Sequence, residues 1–437
     1  MIWGSNRYGV GVSLHRALFG AGLLVVVAGC SSTPPRTALP TPATSTVVAP
    51  PPPSPSPSPS PTLDMTVEEK VGQLFMPVLY GSAADTVHQE NQARYGVGTP
   101  AEVIEKYHLG GVILFPGTGN IENARQVAQL TAGLRAASPE VPLLIGVDQE
   151  NGLVSRLDGI VTDLPGASVI GQTGDTRNAR DAARVTAEEL NALGISLDFA
   201  PVADVNVNPN NPVIGPRAYG NDPEEVADMV GAAVQGFHDG GVAATVKHFP
   251  GHGDTNVDSH TSLPVIDHTR AEWEKLDAPP FKEAIANDVD AIMSAHIVMP
   301  ALDPSGDPAT LSKKILTGVL RGELGFKGVV FTDALNMEGV RKKYGDGEVA
   351  VRAILAGVDI LLMPPDFDVA RDAVLAAIAS GRITATRLNA SVERVLALKE
   401  DWGLSHPRAF PDPSAAARML KTAEHRAVAR RITTGAR

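Results

Sequence analysis

The chain has 437 residues, of which 43% are hydrophobic and 20% charged, with a formal net charge of −12. That composition suits a packed core and excludes a largely disordered chain, and the acidic balance weighs against nucleic-acid binding, which needs basic surface. The single cysteine, Cys30, excludes an intrachain disulfide and any cysteine-based zinc site.

Arg7 and Arg16 precede an apolar run from Ala17 to Gly29. The run is too short for the ~20 residues of a spanning helix and has the form of a signal-peptide core. It ends in Val27-Ala28-Gly29-Cys30, which resembles a bacterial lipobox. In that pattern residues 1–29 are removed and a diacylated Cys30 anchors the chain to the cell membrane, facing the extracytoplasmic side. The plainer alternative is a secretory signal with a stray cysteine. Residues 30–63 are rich in Pro, Ser and Thr, including PPPSPSPSPSP at 51–61. Such a segment cannot bury a core. Extended polyproline II, at roughly 3.1 Å per residue, would make it a tether of up to about 100 Å. Its hydroxyls could also carry glycans.

Order is expected from Thr66-Val-Glu-Glu69, a capping-box pattern that opens a short helix. Apolar runs of strand length follow at 73–80, 110–116, 142–148, 196–204, 242–248, 290–297, 328–333 and 359–364. Helical patterns separate them at about 99–107, 121–136, 176–193, 222–239, 280–287, 312–323, 346–356 and 367–380, with a last helix at about 384–402. Continuous Val/Ile/Leu/Ala runs suit strands buried on both faces, as in parallel sheets. Eight βα units over residues 64–403 predict a (β/α)8 barrel of the TIM type as a single catalytic domain, with residues 404–437 as a C-terminal tail or helix. An open doubly wound sheet is the alternative. Polar residues at strand ends, Asp148, Asp204, Lys247-His248, His296 and Asp333, favour the barrel, where such ends converge on one face.

The segment Lys247-His-Phe-Pro-Gly-His-Gly-Asp254, followed by Asp258-Ser-His260, concentrates three His and two Asp. A zinc pair is disfavoured because Pro250 and Gly251 separate His248 from His252, so the two do not share a helix face. A calcium loop starting at Asp254 fails at Ser259 and Val265, where Gly and Glu are needed. A structural polar loop remains possible. A catalytic reading explains more: Lys247 and His248 close a strand, Gly251 and Gly253 would make a mobile loop, and Asp258 could orient the His260 imidazole. A histidine of pKa near ~6.5 can protonate a leaving oxygen and then deprotonate water.

KHFPGHGDTNVDSH (247–260) and VDQENGLVSR (147–156) resemble the β-N-acetylglucosaminidase branch of the family 3 glycoside hydrolases. So do DFAPVADVNVNP (198–209), IGPRAYG (214–220) and FTDALNM (331–337). The resemblance covers roughly 64–403. It implies retaining hydrolysis of terminal non-reducing β-linked N-acetylglucosamine, with Asp333 as nucleophile and His260, held by Asp258, as acid/base. It also implies sugar-binding roles for Asp148, Arg156, Arg217, Lys247 and His248, and no metal or organic cofactor. Bland alternatives exist for each: Asp333 or Asp148 as a cap, Arg156 and Arg217 as surface ion-pair partners. His296 and Asp204 receive no role beyond packing.

Two departures stand out. Asn151-Gly152-Leu153 replaces a Gly-Gly-Arg found in many relatives, so any ligand contact from that arginine is absent. HRAVARRITTGAR (425–437) resembles the helix after which two-domain relatives begin a second domain, and its basic residues Arg426, Arg430, Arg431 and Arg437 could pack or fray. A histidine acid/base would tolerate an anionic substrate such as a muropeptide, and so suits cell-wall turnover. It would equally admit phosphate as acceptor, making the enzyme a phosphorylase. A lipoprotein that binds muropeptides without catalysis is the reading from another class. A monomer is expected.

Overall fold

The computed structural model describes residues 64–436 except 258, 260–261, 342 and 405–411. Cys30 and the segments 1–29 and 30–63 lie outside the described residues, as do Asp258 and His260. All eight predicted strands are present, all but the fifth shorter than their apolar runs. They are β1 (Phe75–Met76), β2 (Gly111–Ile113), β3 (Leu144–Val147), β4 (Leu197–Asp198), β5 (Ala243–Phe249), β6 (Ala291–Ser294), β7 (Val329–Thr332) and β8 (Leu361–Leu362). The run at 196–204 pairs regularly only at its start, since Pro201 has no N–H to give a ladder.

β2 to β7 form a parallel sheet in sequence order, and β1 pairs in parallel with β8. Isolated parallel bridges, Val78 with Ile113 and Phe331 with Ile360, join that pair to the two ends of the sheet. The result is a TIM-like (β/α) fold. Strand order never reverses, so the doubly wound arrangement does not apply. The continuous apolar runs have a direct cause. One buried cluster draws on all eight strands, through side chains such as Met76, Ile113, Leu144, Leu197, Ala243, Met293, Phe331 and Leu362. The alternate residues, among them Val112, Ile145, Val246, Ile292, Val330 and Leu361, join a second cluster that packs against the helices.

The helices start where the sequence provides caps. The Thr66 hydroxyl accepts from the Glu69 N–H, and the Glu69 carboxylate accepts from the Thr66 N–H, closing the predicted capping box. Asp222 caps Pro223–Gly240 more simply, its carboxylate accepting from the Glu224 and Glu225 N–H groups. The predicted helix at 280–287 is instead two, Arg270–Leu276 and Ala278–Ala286. Pro279 and Pro280 suit the first turn of a helix and bar continuation of the one before, so the chain breaks at Asp277. Lys314–Glu323 winds as a π-helix. Short helices at Gln89–Tyr95, Ala167–Gly171 and Glu338–Arg341 lie outside the predicted helical stretches, while Pro413–Met419 falls within the stretch expected as a tail or helix.

The basic C-terminal segment packs. Ala423–Gly435 is a helix that buries Val428 and Ile432, while His425 places Nδ1 2.7 Å from Glu189 and Nε2 3.0 Å from Glu188 on Thr176–Ala192. Among the described residues, no helix is long and apolar enough to cross a membrane.

Candidate active site

The C-terminal ends of β3, β5 and β7 and the loop after β4 bring most of the predicted residues together. After Asp148 the chain makes a tight hairpin, Gln149–Asn151 against Val154–Ser155. Asn151, paired with Val154, and Gly152 adopt left-handed φ of 68° and 57° where the chain reverses, a conformation that Asn and Gly accept most readily. The hairpin exposes Leu153 at its tip and turns Glu150 toward β5. Lys247, almost fully buried on β5, places Nζ 2.7 Å from Asp148 Oδ1 and 2.7 Å from Glu150 Oε1. Arg217, in the turn Gly215–Arg217, donates through Nε and Nη2 to the two Glu150 oxygens, each at 2.8 Å.

Burial alone would raise the Glu150 pKa, but the Lys247 and Arg217 charges outweigh it and hold the carboxyl at about 2. Burial likewise works against charge on Lys247 and on Arg217. The carboxylates Asp148 and Glu150 raise the first above its ordinary value, and Glu150 raises the second. Asp198, fully buried beneath this group, is the exception. Burial pushes it well above the carboxylate range, although it accepts from the Gln149 N–H at 2.9 Å.

His248 is held by a residue that sequence reasoning left without a role. Its Nδ1 lies 2.7 Å from Asp204 Oδ2 and its Nε2 faces Arg217 Nη2 at 3.3 Å. The other Asp204 oxygen accepts from the His248 and His252 N–H groups at 3.2 and 2.8 Å. His248 and His252 are thus both anchored to one buried carboxylate. His252 is buried, which lowers its pKa to about 4, and its Nε2 lies 3.0 Å from Ser259 Oγ.

Asp333 follows β7 directly. Its N–H donates to Ser294 O at 3.1 Å, and its Oδ1 accepts from the Ala334 N–H at 2.7 Å. Burial raises its pKa, but His296, His248, the Ala334 N–H and Lys247 together bring it below the ordinary value. His296 also has a structural part here, since its Nε2 bonds Ala334 O at 3.1 Å and its Nδ1 bonds Thr310 at 2.9 Å.

Arg156 stands apart from the ion-pair network. Its guanidinium lies over the Phe115 ring at 4.8 Å, and its Nε is buried with no partner among the described residues. Gly251 and Gly253 both permit close approach of neighbouring elements. A Cβ on Gly251 would fall 2.7 Å from the Asp277 side chain, and one on Gly253 would fall 1.7 Å from Val205 O.

The Glycosyl hydrolase family 3 N terminal domain profile matches residues 66–398, and the chain belongs to that family. The Beta-hexosaminidase A of Pseudoalteromonas piscicida is 43% identical over 284 residues, which cover 60% of this chain and 47% of that relative. The chain therefore matches about half that relative's length. A Beta-hexosaminidase of Pseudomonas aeruginosa is 40% identical over 270 residues, 61% of this chain and 78% of that one. Among solved structures, a family 3 beta-N-acetylglucosaminidase from Paenibacillus sp. str. FPU-7 superposes with a TM-score of 0.79 at 45% identity, covering 85% of this chain and 69% of that one. The beta-glucoside phosphorylase BglX superposes with a TM-score of 0.76 at 27% identity, covering 85% and 65%. The chain is a glycoside hydrolase of family 3.

Proposed function

We propose that this protein is a retaining exo-β-N-acetylglucosaminidase that removes terminal N-acetylglucosamine from muropeptides during cell-wall turnover. The observation that carries the reading is Asp333, a half-buried carboxylate with a lowered pKa at the end of β7. It shares its electrostatic surroundings with Lys247, His248 and Arg217. In the first step Asp333 attacks the anomeric carbon, a glycosyl-enzyme forms, and His260 protonates the departing oxygen. In the second, His260 takes a proton from water, which attacks the same carbon and releases Asp333. Each displacement inverts once, so configuration is retained. Asp148, Lys247, Arg217 and His248 supply donors and acceptors for sugar hydroxyls, and the names of the relatives support N-acetylglucosamine as the sugar.

This reading takes the eight parallel strands as a closed barrel, supported by the bridges at both seams and the cluster drawn from all eight. It also takes Cys30 as the site of a lipid anchor. Loss of membrane fractionation in Cys30→Ser supports that anchor, and unchanged fractionation contradicts it.

The test of function is product analysis on a nitrophenyl N-acetyl-β-glucosaminide in buffers with and without phosphate. Free N-acetylglucosamine is expected in both. A dominant sugar 1-phosphate would reassign the enzyme as a phosphorylase, and absence of turnover in both would leave a sugar-binding protein.

A further inference from the structure

We propose that His268 is a positioning residue that clamps the neck of the loop carrying the acid/base. The proposal rests on the reading of His260 as that group. His268 stands between two carboxylates, with Nδ1 2.7 Å from Asp277 Oδ2 and Nε2 2.9 Å from Asp254 Oδ2. Both ring nitrogens face acceptors, an arrangement that only the doubly protonated ring satisfies. The hydrogen bond to Asp277 is the chief cause that raises the imidazole to about 9, against the pull of burial. Asp277 is buried at the proline-enforced break between two helices, so one end of the bridge is fixed in the fold.

Asp254 opens the span that His268 closes, and residues 258 and 260 fall inside that span. The ion pair therefore ties the two arms together at their base. Each arm is fastened again beside it. On the first, the Trp273 Nε1–H donates to Pro250 O at 2.9 Å. On the second, the Ile266 N–H donates to Val298 O and the Val298 N–H to Pro264 O, both at 2.9 Å. Farther along, the carbonyls of Ser262 and Ser259 lie against Gly339, where a Cβ would approach them to 2.6 and 2.7 Å. Gly339 belongs to the short helix Glu338–Arg341 that follows Asp333. The neck is thus held by charge, and the loop beyond it rests on the segment that carries the nucleophile. A displacement of about 1 Å at a reacting group can cost about 10²-fold in rate.

The clean variant is Asp254→Ala. Asp254 is 39% exposed and its removal leaves the buried His268–Asp277 pair intact, whereas His268→Ala would strand Asp277. Three quantities are measured for Asp254→Ala and Asp254→Asn: melting temperature, turnover of an N-acetylglucosaminyl disaccharide, and the pre-steady-state release of nitrophenol. Asp254→Ala should melt within a few degrees of the parent and lose about 10- to 100-fold in disaccharide kcat with KM little changed. Its nitrophenol burst, which needs little proton donation, should fall less than about 3-fold. Asp254→Asn, which keeps an acceptor for His268, should recover part of the loss. Equal losses on both substrates, a change confined to KM, or no loss at all would overturn the clamp while leaving the functional reading in place. A parent enzyme inactive on both substrates would overturn that reading and the clamp with it.

Discussion

Glu150 grips Arg217 with both carboxylate oxygens, 2.8 Å from Nε and 2.8 Å from Nη2. The oxygen facing Nη2 is also 2.7 Å from Lys247 Nζ. One buried carboxylate therefore fixes two cations that the proposed function assigns to sugar hydroxyls. Removing its charge leaves those cations partly uncompensated, and breaking a buried pair of this kind costs about 3–5 kcal/mol. In urea unfolding Glu150→Gln is expected to lose about that much free energy of unfolding, and its kcat/KM for an N-acetylglucosaminide should fall about 10²-fold. A variant with parental stability and kinetics would show that Arg217 and Lys247 are held by other contacts.

His260 and Asp333 should fail in different ways. Asp333→Ala removes the proposed nucleophile, so every substrate should suffer whatever its leaving group. His260→Ala removes proton donation, worth ~10²–10⁴-fold for a basic sugar oxygen and little for nitrophenolate. Asp258→Ala should show a weaker form of the His260→Ala pattern. Comparing nitrophenol burst rates with disaccharide turnover checks this. Equal losses for His260→Ala would move the acid/base role to another group.

Lys399 allows a prediction about pH. It is fully buried on the helix Ala385–Asp401, where Nζ donates to Gln73 Oε1 at 2.6 Å. Burial lowers its pKa to about 7, whereas the unfolded chain keeps a value near ~10.4. A base depressed in the folded state binds fewer protons there than in the unfolded chain between these two values. Its contribution to stability therefore rises with pH from about 7 to 10, by about 1.4 kcal/mol per unit, and is flat below 7. Urea unfolding of Lys399→Met beside the parent at pH 6.5 and 9.5 measures this. The parent should gain on the variant by about 3 kcal/mol as pH rises. A constant difference would mean that Lys399 keeps one protonation state throughout.

The parts of the molecule legible from sequence were those with a local cause. Strands such as β5 and β7 are buried on both faces, so their sequences are continuously apolar and end in the polar residues that the site uses. Helix starts at Thr66 and Asp222 carry their caps within three residues. Glu150 went unnoticed, although Asn151-Gly152 is a hairpin signal that would have turned it toward the site. Those residues read only as a departure from Gly-Gly-Arg. Asp204 and His296 looked like packing because their partners, His248 and Ala334, lie 44 and 38 residues away. The His268 bridge was illegible for a related reason. It depends on a helix break at Asp277, and the sequence reading ran a single helix from 280 and placed nothing before it.

The central claim is that Asp333 forms the glycosyl-enzyme. A fluorinated N-acetylglucosaminyl fluoride that glycosylates the enzyme faster than it is released should trap that intermediate, and peptide mass mapping locates the label. The account expects one sugar on the peptide containing Phe331-Thr-Asp-Ala-Leu-Asn-Met337, attached at Asp333, and none on Asp333→Ala. A label on another carboxylate, or an active enzyme that is never labelled and releases the α-anomer first, would contradict it.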